Sequence, residues 1–236
     1  MQLLVGIGAV SEVLKRLPAG EDWLSEAERA RWLGITRPAR RAQFLAGHGC
    51  ARQLLASVDG SAFADWSLSH NEYGAPLATR HGTHAGLHVS ISHSGAHVAC
   101  VVAPVPVGVD IELAERPRDV LRLAKSLYPP AFLQALAADD VASRKQRFYR
   151  RWALDEARAK AKGRGLLPST LARQQWLPVA AHQADGWSWD LPCGWLAIAL
   201  AEPVRGPVAI RFAKTTPAVP ARYWRWQHDA PDDMRE

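Results

Sequence analysis

Gly108-Val109-Asp110-Ile111-Glu112 and Arg151-Trp152-Ala153-Leu154-Asp155-Glu156-Ala157-Arg158-Ala159-Lys160-Ala161-Lys162-Gly163-Arg164-Gly165-Leu166 are the stretches whose reading decides this chain. In the first, apolar and acidic residues alternate. A strand therefore turns Val109 and Ile111 into a core and leaves Asp110 and Glu112 together on the other face. The second has the helical period: Trp152, Glu156 and Lys160, spaced by four, form one stripe, and Gly163 and Gly165 stand where the helix must stop. Three carboxylates brought close would repel and titrate upward unless a cation lay among them. Asp110, Glu112 and Glu156 are thus candidate ligands of a hard divalent ion. Magnesium suits them, with manganese as the alternative, because it keeps some waters and completes its octahedron with phosphate oxygens. Lys160, one turn past Glu156, would face the same phosphates. Taken separately, the segments read as a surface ion pair worth about 0.3–0.5 kcal/mol and the start of a loop. Their joint occurrence favours a metal-and-phosphate site. Trp152, apolar on the same stripe, reads as a packing residue.

The remaining composition narrows the class. With 236 residues and 48% hydrophobic content, the chain has enough apolar surface for one large domain or two small ones. No apolar run reaches membrane-spanning length, and Met1 to Gly8 lacks the charged start of a signal peptide, so a soluble, cytoplasmic protein is expected with no membrane partner. Cys50, Cys100 and Cys193 are too scattered for a zinc pattern or a disulfide framework. The net charge of +6 favours an acidic partner without choosing among nucleic acid, membrane and protein.

Along the chain, periodicity predicts helices at Glu21–Trp32 and Arg40–Ser57, and strands at Trp66–Leu68, His88–Ser92 and Val98–Val102. Ala103-Pro104-Val105-Pro106 breaks the last strand and is the candidate link between halves, which gives an N-terminal lobe over residues 1–104 and a C-terminal lobe over residues 105–236 carrying the acidic strand. The second half predicts a strand at 107–111, helices at Val120–Ser126, Pro130–Ala137 and 144–162, and strands near 174–178, 187–190, 195–201 and 207–212. The tail from Pro217 to Glu236, rich in proline, tryptophan and charge, is expected to be peripheral.

The two opening segments, in this order and at this separation, resemble the 4'-phosphopantetheinyl transferases of the larger, single-chain type. That family shows a G-[IV]-D-[IV]-E strand followed by W-[ST]-x-K-E-[AS]-x-x-K-x-x-G-x-G-L. Asn71-Glu72-Tyr73-Gly74-Ala75-Pro76-Leu77 resembles its E-x-G-K-P-x-L segment, and Val89-Ser90-Ile91-Ser92-His93-Ser94-Gly95 its F-N-[IL]-S-H-[ST] strand end. Glu28-Arg29-Ala30-Arg31 and Gly47 to Leu55 stand where the family has a basic pair and a G-R-x-x-x-R-x-L-L helix. The likeness covers about residues 28 to 170.

The resemblance implies an α+β fold of two similar α/β lobes related by pseudo-twofold symmetry, with the active site in the cleft between them. It implies a monomer that transfers phosphopantetheine from coenzyme A to a serine of an apo acyl or peptidyl carrier protein, an acidic partner, and releases 3',5'-ADP. Asp110, Glu112 and Glu156 would hold the metal, Glu156 or a metal-bound water would take the serine proton, and Lys160 would neutralise the diphosphate. Ser92 and His93 would contact the 3'-phosphoadenosine, Arg31 the 3'-phosphate, and Gly74, Ala75 and Pro76 the adenine. The chain departs from the pattern in places: Asp155 and Ala75 replace lysines, His48 replaces an arginine, and the family's F-S-x-x-E segment stands as Leu127-Tyr128-Pro129-Pro130-Ala131-Phe132, without its carboxylate. Asp155 is expected to weaken the hold on the diphosphate. Two alternatives stand beside the enzyme: an inactive member that binds coenzyme A or a carrier protein, and a nucleic-acid-binding protein suggested by charge and ten tryptophans. The second lacks any basic and aromatic motif, so no nucleic-acid partner is expected.

Overall fold

The computed structural model describes residues 1–114, 118–163, 165, 171, 174–214, 217–218 and 221–228. Arg164, Leu166 and the end of the tail from 229 onward lie outside them. The fold is mixed α and β. Strands β1 (Gln2–Ala9), β2 (Trp66–His70), β3 (Pro76–Arg80), β4 (Thr83–Ser94), β5 (His97–Ala103) and β10 (Ala209–Phe212) make one sheet in the order β10-β1-β5-β4-β3-β2. Strands β6 (Val107–Leu113), β7 (Gln174–Pro178), β8 (Gly186–Leu191), β9 (Gly194–Leu200) and β11 (Arg222–His228) make the other, in the order β6-β9-β8-β11-β7.

Alternation builds the layers. Leu3, Val5, Ala99, Val101 and Ala103 of the first sheet meet Val109, Ile111, Leu196, Ile198 and Leu200 of the second in a shared core. The opposite face of the first sheet carries Val98, Cys100 and Val102, which pack under helices α1 (Val10–Leu14) and α3 (Pro38–Asp59). The opposite face of the second carries small residues, Ala197 and Ala199, and packs against Ala153, Leu154 and Ala157 of α6 (Val141–Ala161). Helices α4 (Val120–Lys125) and α5 (Pro130–Ala138) cover the start of α6 through Leu136, Tyr128 and Phe148.

Gly108 sets how near α6 comes to the acidic strand. A methyl group there would stand 1.8 Å from the Ala157 carbonyl oxygen and 2.6 Å from the Ala161 nitrogen, so helix and strand backbones touch where any other residue would hold them apart.

Several elements depart from the sequence expectation. The first predicted helix starts later, as α2 (Glu26–Leu33), because Ser25 and Glu28 form a reciprocal capping box that fixes its start. Strands β1 and β3 and helix α1 were not expected at all. The described part of the tail is not peripheral: β11 lies between β8 and β7, with Trp224 and Trp226 against the core under α6. Strand β10 crosses back to pair in parallel with β1, Leu3 beside Ile210.

Replacing Gly108 by alanine should cost about 3 kcal/mol or more, because the overlap is with backbone that cannot rotate away. Urea unfolding measures it. A loss under about 1 kcal/mol would contradict this packing.

Candidate functional site

The two sheets meet through a row of hydroxyls. Strand β6 lies at the edge of its sheet, so every second backbone N–H faces away from β9 and needs an acceptor. The sequence S-I-S-H-S on β4 supplies one each time: Ser90 Oγ accepts from Val109 N–H at 3.1 Å, Ser92 Oγ from Ile111 N–H at 3.3 Å, and Ser94 Oγ from Leu113 N–H at 3.1 Å. The alternate residues of β4 turn toward α3, where His93 meets Arg40.

On the side of β6 that faces α6, Lys160 Nζ donates to Asp110 Oδ1 at 2.6 Å and to Ser92 Oγ at 3.0 Å. Ser92 Oγ–H donates to the same Asp110 oxygen at 2.8 Å. One donor and two acceptor positions are all a serine hydroxyl has, so Ser92 is fully used inside the protein. Lys160 thus reaches across to the strand rather than closing an ordinary pair within its helix. Asp110 is only 4% exposed, and its Oδ2 is buried with no hydrogen-bond partner.

The neighbouring carboxylates carry the cost of that concentration. Burial and then the Asp110 charge push the Glu112 carboxyl up to about 7, and the same two causes, in the same order, raise Glu156. Trp152 is more than packing: its indole Nε1–H donates to Glu112 Oε1 at 3.0 Å. Among the described residues, no three histidine, cysteine, aspartate or glutamate side chains converge into a ready-made metal sphere. The donor set nevertheless fits a hard cation: all its donors are oxygens, Asp110 offers an unpartnered oxygen, and both glutamates respond to the Asp110 charge.

Beyond Lys160 the charge changes sign. Burial, then Arg40, then Lys160 drive the His93 imidazole down to about 4, so it is neutral and accepts from Arg40. Arg40 is itself lowered, by burial and then by Arg31. Arg31 is exposed, pairs with no carboxylate among the described residues, and its guanidinium lies 4.0 Å from where a side chain on Gly74 would begin. Gly74 takes the left-handed conformation (φ +82) in the turn between β2 and β3, which Asn71 closes by accepting from Tyr73 and Ala75 N–H. Pro76 opens β3, and Asn71 Nδ2 is 3.4 Å from the methyl position of Gly163 at the end of α6. The structure therefore brings Arg31, the Gly74–Pro76 turn, His93 and Lys160 to one side of the molecule, next to Asp110, Glu112 and Glu156. Arg31, Arg40, His93 and Lys160 are crowded close enough to act on one another, and Lys160 links this group to Asp110.

Two departures look different in three dimensions. Asp155 is 1% exposed and turned from the site, accepting from Arg151 Nε at 2.7 Å and Trp176 Nε1 at 2.8 Å. Arg151, one turn back, pairs with it, while its charge still contributes to raising Glu156. His48 is buried against Glu28, which also binds Arg52 and Ser25. Burial would raise Glu28, but His48 and Arg52 hold it at about 2, and the group ties α2, with Arg31, to α3. Arg40 is the site residue that sequence reasoning missed. Its local context is one arginine among Arg37, Arg40 and Arg41 at a helix start, and only the approach of β4 singles it out.

A family profile described as the 4'-phosphopantetheinyl transferase superfamily matches residues 106–184. The 4'-phosphopantetheinyl transferase Sfp of Bacillus subtilis is 28% identical over 182 residues, covering 72% of this chain and 77% of that protein. A holo-[acyl-carrier-protein] synthase of Streptococcus agalactiae is 32% identical over 84 residues, covering 34% of this chain and 71% of that one. Among solved structures, a holo-(acyl-carrier-protein) synthase from Bacillus anthracis in complex with coenzyme A aligns with TM-score 0.36 and 25% identity, over 42% of this chain and 91% of that one.

Arg40→Ala should raise the His93 midpoint from about 4 toward the free-histidine value, read by NMR of the ring protons. The sign for stability follows. The folded value lies below the unfolded one, so His93 contributes fully above about pH 6.5 and loses that contribution as pH falls toward 4. An unchanged midpoint in Arg40→Ala would contradict the crowding of cations described above.

Proposed function

Because the chain belongs to the 4'-phosphopantetheinyl transferase superfamily, we propose that it moves the 4'-phosphopantetheine group of coenzyme A onto a serine hydroxyl of an apo acyl or peptidyl carrier protein and releases 3',5'-ADP. The observation that carries this reading is the meeting, at Lys160 and Asp110, of a cation-rich run with a carboxylate-rich one. A nucleotide with three phosphate groups needs the first, and phosphoryl transfer from its diphosphate needs the second.

In this reading the serine oxygen bonds to the β-phosphorus, the bond from that phosphorus to the bridging oxygen breaks, and the pair of electrons leaves with 3',5'-ADP. Arg31, Arg40 and His93 hold the 3'-phosphate end, and the turn at Gly74, Ala75 and Pro76 lines the adenine. Lys160 neutralises the diphosphate as a point charge. Glu156, on the face of α6 toward Asp110, or a water on the cation it would help to hold, takes the serine proton. Asp110, Glu112 and Glu156 would hold magnesium or manganese, which when bound withdraws charge from the attacked phosphate and the leaving group.

The wider organisation belongs to the same proposal. Lobes 1–104 and 105–236 each place a long helix on a sheet, α3 in one and α6 in the other, and a pseudo-twofold relation of the two accounts for that likeness; the return of β10 to the first sheet is then an exchange between lobes. Among the described residues no helix is long and apolar enough to cross a membrane. We assign a monomer acting in the cytoplasm on an acidic carrier protein, consistent with a net charge of +6. Binding of coenzyme A or a carrier protein without catalysis is the alternative, and the retained Asp110, Glu112, Glu156 and Lys160 speak against it.

Intact mass of several apo carrier proteins after incubation with this protein, coenzyme A and magnesium tests the reading. A gain of one phosphopantetheine that a chelator abolishes is expected. Asp110→Ala and Glu156→Gln should each lower turnover by at least about a hundredfold with the fold retained, and Lys160→Ala should mainly raise the KM for coenzyme A. Near-normal turnover of Glu156→Gln with magnesium would overturn the assignment.

A further inference from the structure

Three serines on β4 do the same structural task, and one of them does something more. Ser90, Ser92 and Ser94 each accept one edge N–H of β6. Only Ser92 also donates to Asp110 and accepts from Lys160. Ser92 and Lys160 both donate to one carboxylate oxygen, Asp110 Oδ1, and the other oxygen is left buried and unpartnered. A carboxylate free to rotate about its own axis would present either oxygen. Here the hydroxyl, itself fixed by the Ile111 N–H, removes that freedom.

We infer that Ser92 is a positioning residue: it locks the Asp110 carboxylate so that Oδ2 alone is offered to a divalent cation, and it holds Lys160 beside that cation. The inference rests on the function proposed above and deepens it. Its role differs from contact with the nucleotide, because the hydroxyl has no bonding capacity left for a ligand. Partners that orient a metal-binding carboxylate typically change metal affinity about 10–100-fold when removed.

The ladder supplies its own controls. Ser90→Ala, Ser92→Ala and Ser94→Ala each leave one N–H of β6 without its acceptor, so each should lower the melting temperature of the metal-free protein by a few degrees. Manganese binding, followed by electron paramagnetic resonance without carrier protein or coenzyme A, separates them. Ser92→Ala should bind manganese about 10–100-fold more weakly, and its half-saturating magnesium in the transfer assay should rise in parallel. Ser90→Ala and Ser94→Ala should bind as wild type, and Ser92→Thr, which keeps the hydroxyl, should recover binding. Should Ser92→Ala fail to fold, Ser92→Cys, a weak donor, compared with Ser92→Thr reads the same difference.

Wild-type affinity in Ser92→Ala, or an equal loss in all three alanine variants, would overturn the inference. A wild-type protein that binds no manganese would overturn both the cation and the positioning role. Wild-type protein that binds manganese but modifies no carrier would sink the transferase reading alone and leave the Ser92 result standing.

Discussion

An edge strand must put its outward N–H groups somewhere, and the way β6 does so governs the rest of this molecule. Water would satisfy them only if the strand were exposed, yet Val109 and Ile111 are buried in the core between the sheets. Another strand would satisfy them by continuing the sheet, which would bury the acidic residues in a wider sheet and leave no opening beside them. Serine hydroxyls, spaced by two on β4, satisfy them from the side. The sheets are thereby joined at fixed register while remaining separate, and Asp110 is delivered to the line where they meet.

The close approach of α6 then completes the site. Gly108 and the alanines of β9 and α6 remove the bulk that would separate helix from strand, so Lys160 can cross to Asp110 and Glu156 can feel its charge. Concentrating carboxylates on one side and Arg31, Arg40 and Lys160 on the other packs like charges close together, and the Lys160–Asp110 pair joins the two groups. Burial first, and then these neighbouring charges, raise Glu112 and Glu156 and lower His93. A polyanion with a divalent cation relieves both at once, which is why coenzyme A and magnesium are proposed together.

Local patterns in the sequence carried the features of this account that depend on neighbours along the chain. The alternation in Gly108–Glu112 placed two carboxylates opposite a core face, and the spacing of Trp152, Glu156 and Lys160 placed three side chains on one stripe. What was illegible depends on partners far away in sequence. Strand β11 looked like a tail because its tryptophans find their apolar neighbours only across the sheet, near α6. Strand β10 gave a strand signal but no hint that it pairs with β1. Asp155 reads as a site residue from its adjacency to Glu156, and Arg151 four residues earlier on the helix is the sign that it has a partner of its own. Ser90, Ser92 and Ser94 showed their spacing plainly, but the N–H groups they serve belong to another sheet.

The crystal structure of the protein with coenzyme A and magnesium tests the central claim most directly. The account predicts the diphosphate against Lys160, the cation on Asp110 Oδ2, and the 3'-phosphate among Arg31, Arg40 and His93. Coenzyme A bound elsewhere, or a cation that ignores Asp110, would contradict it.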